Sequence, residues 1–219
     1  GGQKKVYSCL HPNYGKVAVK IGKYSSTASL ERIKREVQFL KSIKSDFFPE
    51  NYDFILDLNE SKFLIIEEFI DSIDYEDVKK YYNTEARIVN LIIMLINSLK
   101  ILWDKNIVHR DLKPDNILFL KDYSPIIIDL GIARFLDNES ITNDFAFSGP
   151  CTPLYSTPEQ LLNKKDLIDL RTDFFLIGII ALELFLGYHP FLPNKVGNVS
   201  TVPENIVNGK YVRPESLNA

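Results

Sequence analysis

Three side chains of different chemistry lie close together in the segment HRDLKPDN, residues 109–116. Asp111 brings a carboxylate, Lys113 an ammonium group and Asn116 an amide, groups that can take up protons, oppose negative charge or bind cations. The segment could instead be a polar turn before a strand NILFL at 116–120, because Lys-Pro-Asp-Asn is favourable turn chemistry. An eight-residue match to the pattern H-R-D-L-x-x-x-N is hard to obtain by chance, and we therefore interpret the segment as a functional site.

A second carboxylate, that of Asp129, lies eighteen positions after Asp111 and follows three isoleucines. The isoleucines predict a buried strand that stops at Asp-Leu-Gly, and on its own the aspartate could simply cap a turn. A strand pair formed by 116–120 and 125–129 would bring Asn116 and Asp129 together at the mouth of a cleft. Two hard oxygen ligands at such a place suit Mg²⁺, which binds one or two protein oxygens together with substrate phosphates.

A lysine, Lys20, lies in the segment KVAVKI, residues 16–21, where Val17, Val19 and Ile21 alternate with Ala18 and Lys20. This period of two predicts a half-buried strand that carries Ala18 and Lys20 on one face. A lysine on the inner face of such a strand is costly unless it is paired or meets a ligand anion. On an edge strand, Lys20 would simply be in contact with water.

The elements that would position these residues change in type along the chain. The first 70 residues are rich in strand patterns, and the remainder is mainly helical. We predict strand, strand, helix, strand and strand, followed by two long apolar helices. These elements are expected at 6–10, 16–21, 26–43, 51–59, 62–70, 87–103 and 174–186.

Composition and charge restrict the classes of partner. Of the 219 residues, 26 are Lys or Arg and 29 are Asp or Glu, which gives a net charge of −3 and a pI of about 5.7. This balance argues against a nucleic-acid binder and against attachment to a membrane through a basic surface. Polar residues interrupt both long apolar segments, with Asn97 in the first and Glu183 in the second, so we predict buried helices and no membrane span.

The two cysteines cannot form a disulfide framework, and no apolar stretch typical of a secretory signal is visible near the first residue. We therefore expect an intracellular, cytoplasmic protein. The oligomeric state has no signature in the sequence.

Taken in order, these motifs resemble those of the eukaryotic-type protein kinases, in their serine/threonine branch. The segments that carry the resemblance are VAVK at 17–20, HRDLKPDN at 109–116, Asp-Leu-Gly at 129–131 and CTPLYSTPE at 151–159. Asp173, before the second apolar helix, matches the aspartate that orients the catalytic loop in that family. The resemblance implies an α+β fold with two lobes.

That fold would form a single kinase-like domain over residues 1–219. A small, strand-rich N-terminal lobe with one helix would occupy 1–70, and a larger, mainly helical C-terminal lobe would occupy 71–219. The boundary between the two lobes is expected near residue 70.

The resemblance also implies catalytic roles. Asp111 would accept the proton of the substrate hydroxyl, and Lys113 would offset charge on the transferring phosphoryl group. Lys20 would hold the α- and β-phosphates of ATP while paired with Glu36, which lies sixteen residues later in the predicted helix. Glu36 could instead be a solvated charge beside its basic neighbours.

ATP and Mg²⁺ are the cofactors that the resemblance implies, with Asn116 and Asp129 as the metal ligands. Strand residues, the linker between the lobes and the metal ligands would contact the nucleotide. These residues are Val6, Ala18, Lys20, Glu68, Ile70, Asn116 and Asp129. Glu67 would take the gatekeeper position behind the adenine, where the family usually has an apolar residue. It could instead be an ordinary exposed strand carboxylate.

The implied substrate is a protein with Ser or Thr hydroxyls. Lys113 is typical of that branch, and so is Thr152 at the position of its substrate-docking threonine. Arg110 is associated in the family with control by a phosphorylated activation segment, and Ser148 takes the usual place of the phosphosite. A phosphate there would add a charge of about −1.5 to −2, which arginines could bind. Most loop serines are simply solvated, so that alternative stays open.

The sequence departs from the family pattern near both ends. Gly1 and Lys4 take the places of the second and third glycines of the glycine-rich loop, and no family-type arginine partner for Glu159 follows Pro214. We therefore expect a chain that is short at both ends, with Glu159 lacking its usual partner.

Two other functions stay open. One is a pseudokinase that binds nucleotide or acts as a scaffold, and the other is a small-molecule kinase of the aminoglycoside phosphotransferase type.

Overall fold

The computed structural model describes residues 5–130, 134–135, 153–192 and 198–213, with the backbone alone at 32, 36, 134 and 135. Within these residues the order strand, strand, helix, strand, strand is followed by a mainly helical part. The expected α+β fold with two parts is therefore confirmed.

Four antiparallel strands form the sheet of the N-terminal part, in the order β1-β2-β4-β3. Their bounds are β1 Lys5–His11, β2 Gly15–Lys23, β3 Asn51–Asp57 and β4 Lys62–Glu68. The predicted turn between the first two strands is present, and Gly15 adopts the left-handed φ of 70° that favours glycine there. The alternating pattern of residues 16–21 thus forms a central strand of the sheet.

One helix, α1 (Thr27–Ser42), packs on the face of this sheet that carries Lys20. A reciprocal capping box at its start stabilises it, because Ser26 and Ser29 each accept a hydrogen bond from the other's backbone N–H. Its buried residues Ile33 and Val37 form a small core with Phe63 and Ile65 of β4. The helical spacing predicted for this segment is therefore the spacing that fills the core.

Gly22 of β2 lies directly under the ring of Phe63, its partner on β4. A β-carbon at Gly22 would lie 2.3 Å from that ring, far inside van der Waals contact. Only glycine allows the Phe63 ring to lie this close to the β2 backbone.

Two long helices form the centre of the C-terminal part. α3 (Glu85–Trp103) packs against α5 (Leu170–Leu186), and both contribute to the large core. α5 is capped by Asp169 and ends at Gly187, whose φ is 74°. By length and composition alone α3 could cross a membrane, which is weak evidence because core helices have the same character.

Shorter elements complete this part. The helices are α2 (Tyr75–Tyr81), α4 (Pro158–Leu161) and α6 (Val202–Val207), and the strands are β5 (Ile107–Val108), β6 (Ile117–Phe119), β7 (Pro125–Ile127) and β8 (Arg134–Phe135). Helix α2 was not predicted, because Val78 is its only buried residue and no apolar periodicity marks it.

The segment between α1 and β3 joins the two parts. Phe48 is buried in the large core, although it precedes β3 of the sheet. The backbone N–H of Ile127 in β7 donates to the carbonyl of Phe47 at 2.9 Å. The sheet is therefore attached to the C-terminal part by this segment as well as by the chain near residue 70.

Candidate active site

A buried carboxylate from α5 holds the segment that carries Asp111. The Asp173 oxygens accept from the backbone N–H groups of His109 and Arg110, each at 2.9 Å. The indole Nε1–H of Trp103, at the end of α3, donates to the same carboxylate at 2.8 Å. Asp173 is fully buried, and three donors compensate the cost of burying its charge. Two helices thus fix the backbone immediately before Asp111.

Arg110 has a left-handed φ of 70°, which is costly for a residue with a β-carbon. Its carbonyl accepts a hydrogen bond from the Gln160 side chain at 2.8 Å. Gln160 lies in α4 and forms a capping box with Thr157. The unusual backbone of Arg110 is therefore held from both sides.

The three polar residues of the segment at 109–116, called the catalytic segment below, contact one another. The Asn116 Nδ2 donates to the Asp111 carbonyl at 2.7 Å and to the Asp111 Oδ2 at 3.0 Å. The Lys113 Nζ lies 3.5 Å from the same Oδ2. Both of these side-chain contacts are made to Oδ2, and they orient the carboxylate. No described residue donates a hydrogen bond to the Asp111 Oδ1, so this oxygen can accept a proton.

The strands β6 and β7 bring Asn116 and Asp129 to one place, as the sequence predicts. Ile117 pairs with Ile127, and the Ile128 N–H donates to the Asn116 carbonyl at 2.9 Å. Asp129 is the next residue and turns the chain with a φ of 60°.

The donor atoms at this place fit Mg²⁺. Because Asp111 uses both Asn116 amide hydrogens, the Asn116 Oδ1 is left as an oxygen that can bind a cation. Together with the Asp129 carboxylate it supplies the hard oxygen ligands that this ion prefers.

Lys20 makes a buried ion pair with Glu67. The Nζ of Lys20 lies 2.7 Å from the Oε1 of Glu67, and both residues are 7% exposed. Glu67 is therefore not the exposed strand carboxylate that the sequence allowed as an alternative. Glu36 lies on α1 as predicted, but its side chain is outside the described part of the structure, so its pairing with Lys20 stays a prediction.

The residues expected around the nucleotide lie on one face of the sheet or in the linker. Val6 of β1 lies opposite Lys20 of β2 and shares its face, although the residue is 60% exposed. Ala18 lies on the same face. Glu68 donates its N–H to the Glu50 carbonyl at 2.8 Å, and the Ile70 carbonyl accepts from Ser72 at 3.1 Å. These bonds use the Glu68 N–H and the Ile70 carbonyl, and the adenine contacts expected of Glu68 and Ile70 stay a prediction.

Two predicted site residues, Ser148 and Thr152, lie outside the described residues. The described end of the segment at 151–159, called the docking segment below, is attached to α5. Glu159 accepts from the Thr172 hydroxyl at 2.7 Å, so this carboxylate has a partner in place of the arginine typical of the family.

A buried cluster lies beneath the docking segment, and the sequence patterns did not predict it. The Tyr155 hydroxyl donates to the Glu183 carboxylate, and the His189 Nε2 lies 2.9 Å from the Leu154 carbonyl. Burial raises the pKa of Glu183, although the Tyr155 hydrogen bond opposes this shift. Burial also raises the pKa of Tyr155. The only sequence signal was a glutamate within the apolar run of α5.

A family model described as a protein kinase domain matches residues 1–213. The chain belongs to the protein kinase family. The curated relatives of this kinase domain include the serine/threonine-protein kinase atg1 of Dictyostelium discoideum, 28% identical over 86% of the chain and 28% of the relative. Calcium-dependent protein kinase 5 of Plasmodium falciparum is 33% identical over 80% of the chain and 30% of the relative. A probable serine/threonine-protein kinase of Dictyostelium discoideum is 30% identical over 100% of the chain and 47% of the relative.

The family assignment confirms the resemblance drawn from the catalytic-loop and docking-segment motifs. The kinase domain spans less than half the length of these relatives. What those longer proteins act on is therefore not transferred to this chain directly.

Proposed function

We propose that this kinase domain transfers the γ-phosphoryl group of ATP to Ser or Thr hydroxyls of protein substrates. The observation that carries the proposal is the arrangement at Asp111. Its carboxylate is oriented by Asn116 and Lys113, in a segment whose backbone is held by the buried Asp173.

In the proposed reaction the substrate hydroxyl oxygen forms a bond to the γ-phosphorus, while the bond from that phosphorus to the β-phosphate oxygen breaks. The hydroxyl proton moves to Asp111, whose Oδ1 is the oxygen available to accept it. ADP is the leaving group. The Lys113 ammonium offsets the negative charge of the transferring group. Positioning and charge neutralisation, rather than covalent catalysis, are therefore the contributions of this chain.

The nucleotide would lie between the sheet and the C-terminal part. Lys20 would bind its phosphates, and Val6 and Ala18 would line the space for the adenine ring. The Glu68 carbonyl and the Ile70 N–H would face the polar edge of the base. One residue offers an acceptor and the other a donor, which suits the mixed edge of adenine.

Mg²⁺ would be held by the Asn116 Oδ1 and the Asp129 carboxylate. When bound, the ion neutralises phosphate charge. The residues of this chain orient it through the hydrogen bonds of Asn116 to Asp111.

The preference for Ser or Thr is supported by Lys113, two residues after Asp111, and by relatives whose names describe serine/threonine kinases. Thr152 is proposed to support docking of the protein substrate, and Ser148, which precedes the docking segment, is proposed as a phosphosite. An intracellular, cytoplasmic setting without a membrane span is proposed from the cysteine content and the interrupted apolar segments.

The proposal is tested by incubating the 219-residue chain with Mg²⁺, ATP and a panel of Ser, Thr and Tyr peptides, followed by mass measurement. We expect labelled Ser or Thr peptides, and a loss of rate of about 10²- to 10⁴-fold in Asp111→Asn, because the proton acceptor is removed. Asp104→Asn, at the exposed end of α3, is the control and should retain the rate.

Other outcomes separate the alternatives. Nucleotide binding without any transfer would indicate a pseudokinase. Transfer to a small hydroxylated compound but to no peptide would indicate a small-molecule kinase. Labelling of tyrosine peptides alone would contradict the proposed specificity.

A further inference from the structure

One carboxylate that contacts Lys20 comes from β4, next to the linker between the two parts of the chain. We propose that Glu67 is a positioning residue, whose carboxylate fixes the Lys20 ammonium where it meets the nucleotide phosphates. The inference rests on the proposed binding of ATP. In this role Glu67, at the expected gatekeeper position, would assist phosphate binding by holding Lys20 in place.

The register of the sheet explains why the pair forms. Ala18 of β2 lies opposite Glu67 of β4, and Lys20 lies opposite Ile65. All four side chains share one face, so Lys20 and Glu67 are diagonal neighbours, which long side chains can bridge. The small Ala18 side chain leaves space beside Glu67. The pair is therefore a product of strand register and does not require a particular position of α1.

Burial makes a charged partner necessary for Lys20. The two side chains are 9% and 10% exposed, and neither charge could be buried at this depth without a partner. A contrasting pair joins Lys62, the first residue of β4, to Glu60 in the turn before it, and these side chains are 36% and 58% exposed. An exposed pair of that kind does little to fix the position of its lysine side chain, because water competes for both charges.

Pairing with Glu67 leaves Lys20 able to bind an anion. An ammonium group has three N–H donors, and the contact with the Glu67 Oε1 requires one of them. The lysine side chain is flexible, and a fixed carboxylate restricts it before the ligand arrives. The Lys20 side chain then loses less conformational entropy when a ligand binds. This strengthens the binding of a ligand that has phosphates relative to one that has none.

The test compares ATP with adenosine, which has the same base and sugar but no phosphates. Dissociation constants of Mg²⁺-ATP and of adenosine are measured by calorimetry for wild type, Glu67→Met, Lys20→Met and the double variant. We expect the preference for ATP over adenosine to fall at least about tenfold in Glu67→Met, with adenosine binding changed less than about threefold. In the Lys20→Met background, Glu67→Met should cause no further fall. Glu60→Gln, in the exposed pair, should leave both constants unchanged.

An unchanged or increased preference for ATP in Glu67→Met would overturn the inference. A further fall in the double variant would also overturn it, because Glu67 would then act independently of Lys20. If Glu67→Met does not fold, Glu67→Gln replaces it, since glutamine keeps the size and an acceptor oxygen but removes the charge. A reduced preference in Glu67→Gln supports the inference, and an unreduced one overturns it.

The same measurements separate this inference from the proposed function. A chain that prefers ATP through Lys20 and Glu67 but labels no peptide contradicts the proposed activity and supports the role of Glu67. A wild-type chain with no preference for ATP overturns the role of Glu67, whatever peptides it labels.

Discussion

Asp173 shows how one side chain fixes the shape of the catalytic segment. Its two oxygens accept from two consecutive backbone N–H groups and from the Trp103 indole. An asparagine at this position would turn one acceptor oxygen into a donor and remove the negative charge. At least one buried N–H group would then lose its partner, at a cost of about 1–3 kcal/mol, and more for a charged acceptor.

We therefore expect Asp173→Asn to lower the free energy of unfolding by about 2–3 kcal/mol and to reduce peptide phosphorylation. Urea unfolding and initial rates measure the two effects. Asp169→Asn on the same helix is the matched control. Asp169 is more exposed, and asparagine is an equally good N-cap, so its effect should stay within about 0.5 kcal/mol. Equal effects of the two variants would contradict the anchoring role of Asp173.

At the scale of elements, the contact of β2 with β4 depends on the absence of a side chain at Gly22. The Phe63 ring fills the space where a β-carbon would lie. Overpacking of a core typically costs about 1–3 kcal/mol. The small core between α1 and the sheet has few residues, so little of it can move aside.

Gly22→Ala should therefore lower the free energy of unfolding by about 1–3 kcal/mol, as measured by urea unfolding. Adding Phe63→Leu should make the alanine less destabilising than it is in the wild-type background, because the ring that it meets is gone. Gly178→Ala in α5 is the opposite case. Outside its own helix backbone and chain neighbours, a β-carbon at Gly178 would meet no atom of the described residues within 4 Å, and alanine in a helix interior is expected to gain about 0.5–1 kcal/mol. A destabilising Gly178→Ala with a neutral Gly22→Ala would refute this account of the packing.

At the scale of the whole molecule, the buried cluster under the docking segment makes the stability of the folded chain depend on pH. Burial lowers the pKa of His189, and the hydrogen bond to the Leu154 carbonyl opposes this only in part. The unfolded chain, with a histidine pKa near 6.5, then binds more protons than the folded chain. The neutral His189 side chain therefore contributes its full stabilisation above about pH 6.5, and this contribution is lost as the pH falls below that value.

Melting temperatures at about pH 7.5 and about pH 5.5 test this expectation. His189→Gln keeps a side-chain N–H for Leu154 but cannot be protonated, so its melting temperature should fall less between the two pH values. One proton changes stability by at most about 1.4 kcal/mol per pH unit. The pKa of Glu183 is raised in the folded chain, which therefore binds this proton more readily than the unfolded chain does. Its contribution to stability increases as the pH falls, opposite to that of His189. It is present in both proteins, so parallel pH profiles would rule out His189 as the cause.

Much of this molecule follows from its sequence because its patterns are local. The alternation around Lys20, the apolar spacing of α1 and the isoleucines before Asp129 each identify an element, and the short β6–β7 pair brings Asn116 to Asp129. Contacts between distant segments could not be predicted in this way. The pairing of Glu67 with Lys20 depends on the register of β4 against β2, and Gln160 reaches Arg110 across fifty residues.

The hydrogen bonds that lock the catalytic segment use backbone atoms of His109 and Arg110, namely two N–H groups and one carbonyl. Every residue except proline has these atoms. These backbone bonds do not require a particular side chain at position 110, provided that the residue tolerates a positive φ. We therefore expect Arg110→Gly or Arg110→Asn to keep the position of Asp111 while the side-chain function of the arginine is lost.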